Sequence, residues 1–133
     1  MQHIPTGFQP LVPYLRMRGA DGFASFCRAA FGAEVVMEHK HEGHLVHGEL
    51  RIEGAMLEFG EARDAWGPLP AGLHLYVRDV DAAFARAKAA GAEVLFELAD
   101  QEYGERSGGL RDRWGNEWYL ATVTDMGKRT TAP

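Results

Sequence analysis

GAEVVMEH stands at residues 32–39 and GAEVLFEL at residues 91–98. The likeness extends in both directions. A shift of 60 carries Leu15, Arg18 and Asp21 onto Leu75, Arg78 and Asp81, and a shift of 59 carries Gly32-Ala33-Glu34-Val35 onto Gly91-Ala92-Glu93-Val94. The shift returns to 60 at Leu50-Arg51, which fall on Leu110-Arg111, and becomes 61 at Gly54, which falls on Gly115. One tetrapeptide recurs easily by chance. Several blocks in steady register point instead to a duplicated unit of about sixty residues. Two copies do not make a solenoid.

Each copy reads as the same five elements. Leu11–Met17 and Leu73–Val77 have strand patterns. A helix follows. In the second copy Asp79 or Asp81 can cap it, and Ala82–Ala90 is rich in strong helix formers. Val80, Phe84 and Ala87 keep the helical spacing toward a sheet. Gly32 and Gly91 stand where a glycine ends a helix. Three strands are then predicted at 33–40, 44–52 and 55–60, and again at 92–98, 105–111 and 116–123, with Glu42-Gly43 and Glu53-Gly54 as turn signals. The order is β-α-β-β-β twice, an α+β class. One domain holds modules of about 11–60 and 72–123 joined by a linker, 61–71.

The totals fit this reading. A chain of 133 residues with 46% hydrophobic residues suffices for a real core. No apolar run approaches the ~20 residues of a membrane span, and the N-terminus lacks a signal-peptide layout. Cys27 is the only cysteine, so no internal disulfide is possible and a cytoplasmic location is expected. A net charge of −5 without a basic stripe argues against nucleic acid.

Three stretches carry a family resemblance: VPYLRMRGADGFASFCRAAFGAEVV (12–36), LHLYVRDVDAAFARAKAAGAEV (73–94) and YGERSGGLRDRWGNEWYLATV (103–123). Together they resemble the vicinal oxygen chelate superfamily of glyoxalases, bleomycin resistance proteins and extradiol dioxygenases. Gly104-Glu105-Arg106, Leu110-Arg111-Asp112 and Gly115-Asn116 look most like its PhnB-like, glyoxalase-like branch. The resemblance implies tandem β-α-β-β-β modules, each an incomplete barrel, and a homodimer. Ligand or metal then sits in the cupped face of the sheets.

Strand alternation says which side chains face that cup. Pro13, Leu15 and Met17 take the helix side, leaving Tyr14 and Arg16. Leu73, Leu75 and Val77 leave His74 and Tyr76. Val46, Gly48, Leu50 and Ile52 leave His47, Glu49 and Arg51. Leu57 and Phe59 leave Met56 and Glu58, and Trp118 and Leu120 leave Glu117 and Tyr119. Trp66, in the linker, is a further candidate because a large aromatic in a Pro/Gly-rich loop is not obviously core. Tyr103 and Trp114 are lesser ones. The expected ligand-binding set is Tyr14, Arg16, His47, Glu49, Glu58, Trp66, His74, Tyr76 and Tyr119. Arg16 or Arg51 is expected to neutralise Glu58, since a buried carboxylate without a partner is costly.

The family's metal positions, carried over by the resemblance, fall on Val12, Glu58, Gly72 and Tyr119. Only Glu58 is a ligand of the expected type. No metal and no cofactor are therefore expected, with an unorthodox site from His47, Glu49, Glu58 and His74 as the alternative. His39, His41 and His44 flank a turn and read as exposed hairpin histidines. The function expected is binding or sequestration of a small molecule, an antibiotic or metabolite. The alternative is a metal-dependent lyase or isomerase of glyoxalase type, which needs a base beside a carbonyl.

Overall fold

The computed structural model describes residues 2–131 and divides into two units between Pro70 and Ala71. The first holds β1 (Tyr14–Met17), a 3-10 turn (Ala20–Gly22), α1 (Phe23–Phe31), β2 (Glu34–His41), β3 (His44–Ile52) and β4 (Ala55–Glu61). The second holds β5 (Gly72–Tyr76), α2 (Val80–Ala89), β6 (Glu93–Gln101), β7 (Glu105–Arg111), β8 (Glu117–Val123) and α3 (Met126–Thr131). Each unit is one open four-stranded sheet, ordered β1-β4-β3-β2 and β5-β8-β7-β6. In both, the first and fourth strands run parallel and the remaining pairs antiparallel. The expected order of elements holds. Helix α3 is an addition to it, and β1 is shorter than Leu11–Met17.

The helices form where their sequences place apolar residues three and four apart. Phe23, Phe26, Cys27, Ala30 and Phe31 of α1 are buried, as are Val80, Ala83, Phe84 and Ala87 of α2. Gly32 ends α1 in the left-handed region at φ 67° and donates to the Arg28 carbonyl. Asp79 caps α2, its carboxylate accepting from the Ala82 amide at 3.1 Å. Asp81 is free for other work and pairs with Arg106 at 3.0 Å.

Leu15, Met17, Leu50, Ile52, Leu57 and Phe59 form the buried face of the first sheet, with Phe59 4.9 Å from Phe23 by ring centroids. Leu110, Trp118 and Leu120 do the same in the second. Each such side chain contributes about 1.5–3 kcal/mol by leaving water. Two glycines related by the repeat let a ring lie flat on the sheet. A Cβ on Gly48 would come within 2.5 Å of the Phe59 ring, and one on Gly108 within 2.7 Å of Phe84.

The registers break at matched places. Val35 opposes Leu50 and Met37 opposes Glu49, so Val36 is an extra residue in β2. Val94 opposes Leu110 and Phe96 opposes Gly109, so Leu95 is its counterpart in β6. A further break pairs His39 with His47 and Lys40 with Leu45, leaving Val46 as a bulge. The bulge corrects the sequence reading. Leu45 is the buried residue at this end of β3, and Val46 turns away from the core.

Candidate functional site

The face of the first sheet opposite its core is a grid set by the register. One row runs Tyr14, Glu58, Glu49, Met37 and the next runs Arg16, Gly60, His47, His39. Gly60 has no side chain, so the Tyr14 ring leans across it and stacks on His47, with centroids 5.7 Å apart and planes at 20°. His47 Nε2 stands 3.8 Å from a Glu49 oxygen.

The linker does not leave the sheet. Leu69 pairs with Arg16 across β1, the Leu69 amide donating to the Arg16 carbonyl at 2.9 Å. Arg63 and Trp66 bridge each other through their backbones. This strap holds Trp66, 62% exposed, with its ring 5.4 Å from the Arg16 guanidinium. Arg16 Nε also donates to the Gly67 carbonyl at 3.0 Å. Strap and sheet enclose a cleft of about 310 Å³ lined by Tyr14, Arg16, Val46, His47, Glu61, Arg63 and Trp66. Four of the predicted residues meet here. Val46, Glu61 and Arg63 were missed: Val46 because a bulge is invisible to strict alternation, the other two because nothing in the linker sequence says that it folds back.

The expected neutralisation of Glu58 does not occur. Arg51 reaches Glu34 at 3.2 Å, and Arg16 turns its Nε to the Gly67 carbonyl and its guanidinium over the Trp66 ring, not to Glu58. Glu58 lies beside Glu49 in register without a cation on it. Met56 is not part of an open face either. It is 1% exposed, and the Gln9 side-chain amide donates to its carbonyl at 2.8 Å and accepts from its amide at 3.0 Å.

The second sheet's corresponding face has rows Gly72, Glu117, Arg111, Glu93 and His74, Tyr119, Gly109, Phe96. The Tyr119 hydroxyl donates to Glu117, which also takes Arg111 at 3.1 Å. The Tyr119 bond, and then Arg111, lower the Glu117 pKa below its ordinary value; the Glu117 carboxylate raises that of Tyr119. Phe96 stacks near Tyr119 at 6.2 Å, over Gly109. His74 is exposed, with Tyr76 against its ring at 4.5 Å. The Tyr76 hydroxyl is engaged: it donates to Glu105 at 2.8 Å and accepts from Arg129 of α3 at 3.2 Å. Arg129 Nε meets Glu105 at 2.9 Å. Among the outlying candidates, Tyr103 is half exposed in the β6–β7 turn, and Arg113 covers the Trp114 ring at 4.3 Å. His41 and His44 lie exposed in their hairpin.

The donors at the four family metal positions do not fit a divalent ion. Val12 and Gly72 have none, and the Tyr119 hydroxyl is spent on Glu117. Among the described residues no three His, Cys, Asp or Glu gather as a metal site would require. No helix among them is long and apolar enough to cross a membrane.

Comparison with known proteins agrees with this architecture. An uncharacterized protein of Mycobacterium bovis is 34% identical over 122 residues, covering 83% of this chain and 80% of its own. Among solved structures, TioX of Micromonospora sp. ML1 superposes with a TM-score of 0.73 at 24% identity, covering 88% of this chain and 98% of that one. The fosfomycin resistance protein FosX of Listeria monocytogenes, solved with Mn(II) and 1S,2S-dihydroxypropylphosphonic acid, gives 0.70 at 18% identity over 96% of this chain and 98% of its own. A family model, Glyoxalase/Bleomycin resistance protein/Dioxygenase superfamily, matches residues 13–120. The chain belongs to the glyoxalase/bleomycin resistance protein/dioxygenase superfamily.

Proposed function

We propose that this is a cytoplasmic, homodimeric protein that binds a small antibiotic or metabolite on the polar faces of its sheets without a metal or other cofactor. One observation carries the reading. Tyr14, Arg16, His47 and Trp66, distant in sequence, line a single cleft of about 310 Å³, the lower end of the usual size for a ligand pocket. Flat rings supply contact area at low entropic cost, and guanidinium and imidazole fix orientation. Glu49 and Glu58, one row away, hold hydrogen-bond donors or cationic groups of the ligand. His74, Tyr76 and Tyr119 offer the second sheet's contacts, with Tyr119 oriented by Glu117. Metal-dependent lyase chemistry needs donors that Val12 and Gly72 lack. The homodimer belongs to the proposal because β2 and β6 end their sheets as edge strands.

The test is a thermal-shift screen of planar antibiotics, metabolites, divalent metals and 2-oxoaldehyde thiol adducts. A planar compound should raise the melting temperature in chelator-treated protein by mass action. Tyr14→Ala should abolish that rise. Metal-dependent turnover of a thiol adduct would replace this reading with the lyase. So would tightly held Zn, Ni, Fe or Mn that is lost in Glu58→Gln.

A further inference from the structure

The two units close the same end of their sheets with opposite chemistry. After β8, the chain brings Arg129 over β5, where its guanidinium meets Glu105, a carboxylate only 3% exposed, together with the Tyr76 hydroxyl. The cation comes from the covering segment and the anion from the sheet. A shift of 60 places Glu105 on Leu45 and Tyr76 on Arg16. The first unit therefore has a guanidinium on the strand and a leucine where the carboxylate would stand. Its strap adds a second arginine, Arg63, to the cleft lining, bridged to Trp66 through the backbone.

The carboxylates nearby are accounted for. Glu61, the only one lining the cleft, accepts from the Gly19 and Ala20 amides at 3.0 and 2.9 Å. Glu49 and Glu58 sit one row away and do not line it. Arg16 gives its Nε to the Gly67 carbonyl, which fixes the plane of the guanidinium and leaves both Nη groups for another partner. The cleft is thus lined by two arginines, no uncommitted carboxylate, and the aromatic rings of Tyr14 and Trp66.

We infer that this cleft selects a planar ring bearing a carboxylate. Arg16 and Arg63 hold the carboxylate by charge-assisted hydrogen bonds, and the ring lies against Trp66 and Tyr14. The inference rests on the small-molecule reading above and adds the charge class of the ligand.

Isothermal titration calorimetry with three probes of one shape tests it: 2-naphthoate, the neutral 2-naphthamide and the cationic 2-naphthylmethylamine. Naphthoate should bind about tenfold or more tightly than the amide, as expected when a charged hydrogen-bonded pair replaces a neutral one. Arg63→Gln should cut that margin several-fold, because one of the two guanidinium partners of the carboxylate is gone. This variant is chosen because the Arg63 side chain is exposed, and its backbone bridge to Trp66 does not depend on it. Trp66→Phe should keep the order of affinities and remove any quenching of tryptophan emission by naphthoate, which places the ring. Equal binding of naphthoate and amide, preference for the amine, or an unchanged margin in Arg63→Gln overturns the carboxylate inference. The small-molecule reading then survives if Tyr14→Ala abolishes what binding there is. No binding of any probe, with no stabiliser found in the wider screen, overturns both.

Discussion

The two units share the pairing registers of their first, third and fourth strands and differ in what occupies them. Asp21 and Asp81 are equivalent by the repeat, yet Asp21 accepts from the Leu45 amide at 2.8 Å while Asp81 binds the Arg106 side chain. Arg51 and Arg111 both reach back to the start of their second strands, to Glu34 and Glu93, but only Arg111 has a second carboxylate, Glu117. Across the sheet faces, the first unit carries Glu58 and Glu49, the latter with only the His47 imidazole near it, where the second has Tyr119 and Gly109. In the second unit the ionic and hydrogen-bonding capacity is largely satisfied internally. In the first it is not. Backbone pairing and helix packing tolerate this divergence because they depend on spacing and burial, whereas the outward side chains are free to vary.

The comparison breaks most visibly at the paired glycines. Gly48→Ala and Gly108→Ala should each cost about 1–3 kcal/mol in denaturant unfolding, because Phe59 and Phe84 are buried and have nowhere to go. Gly109→Ala makes a comparable clash with Phe96, but that ring is 44% exposed and can swing out, so the loss should be well under either of the others. Equal losses at all three would mean that Phe96 is as confined as the core rings.

Next in size is the covering helix. Arg129→Ala leaves Glu105 buried without its cation and should lower the melting temperature by about 3–6 °C. Adding Glu105→Gln to that variant should recover much of the loss, because an amide needs no counter-charge. If the double variant melts no higher than the single one, α3 acts by packing alone.

At the other end, Gln9→Ala removes both hydrogen bonds to the Met56 backbone and should cost about 1 kcal/mol per bond at most. Amide exchange should quicken at Met56 and leave Leu57 and Phe59 protected.

The smallest effect is in pH. Asp21, Asp81 and Glu117 have pKa values lowered by the Leu45 amide, by Arg106, and by Tyr119 with Arg111 respectively. Their stabilisation is present above about pH 4.3, where these groups are ionised in the unfolded chain as well, and is lost as pH falls through the lower folded values. Two of the three lie in the second unit, so Asp81→Asn with Glu117→Gln should flatten the acid limb of a melting curve more than Asp21→Asn does. Tyr119 works in the opposite sense. Its pKa is raised by Glu117, so its contribution is complete below about pH 10 and fades as pH climbs past the folded value. Tyr119→Phe should remove that alkaline loss.

Much of this architecture is legible in the sequence, because it rests on period. The repeat, the alternation in Leu15/Met17 against Tyr14/Arg16, and the helix-ending glycines all follow from local geometry. The pieces that escaped are those where one residue or one segment leaves the period. Val46 sits in a bulge, so alternation assigns it to the wrong face. The strap 61–69 and α3 lie after the fourth strand of each copy, and the lone match of Asp64 with Asp125 is too little to betray their common placement. Glu58 looked as though it needed an arginine, yet Arg51 was already claimed by Glu34, a competition set by the β2–β3 register and invisible in composition.

The Gln9 side chain does for β4 what a strand backbone does for β8. In the second unit the Glu117 amide is received by the backbone carbonyl of Ala71, the natural extension of β5. In the first, the same service to Met56 comes from a side chain, because the chain has turned away before it can run alongside β4. A side-chain amide presents an N–H and a C=O side by side, as a strand backbone does, so it substitutes for a single missing rung. Across the evolutionary history of this family the two solutions should exclude each other. A relative whose first strand begins two or three residues earlier has no use for a glutamine at this point, and one that loses the glutamine must lengthen the strand. An alignment deep enough to show covariation would find the amide and the longer strand trading places.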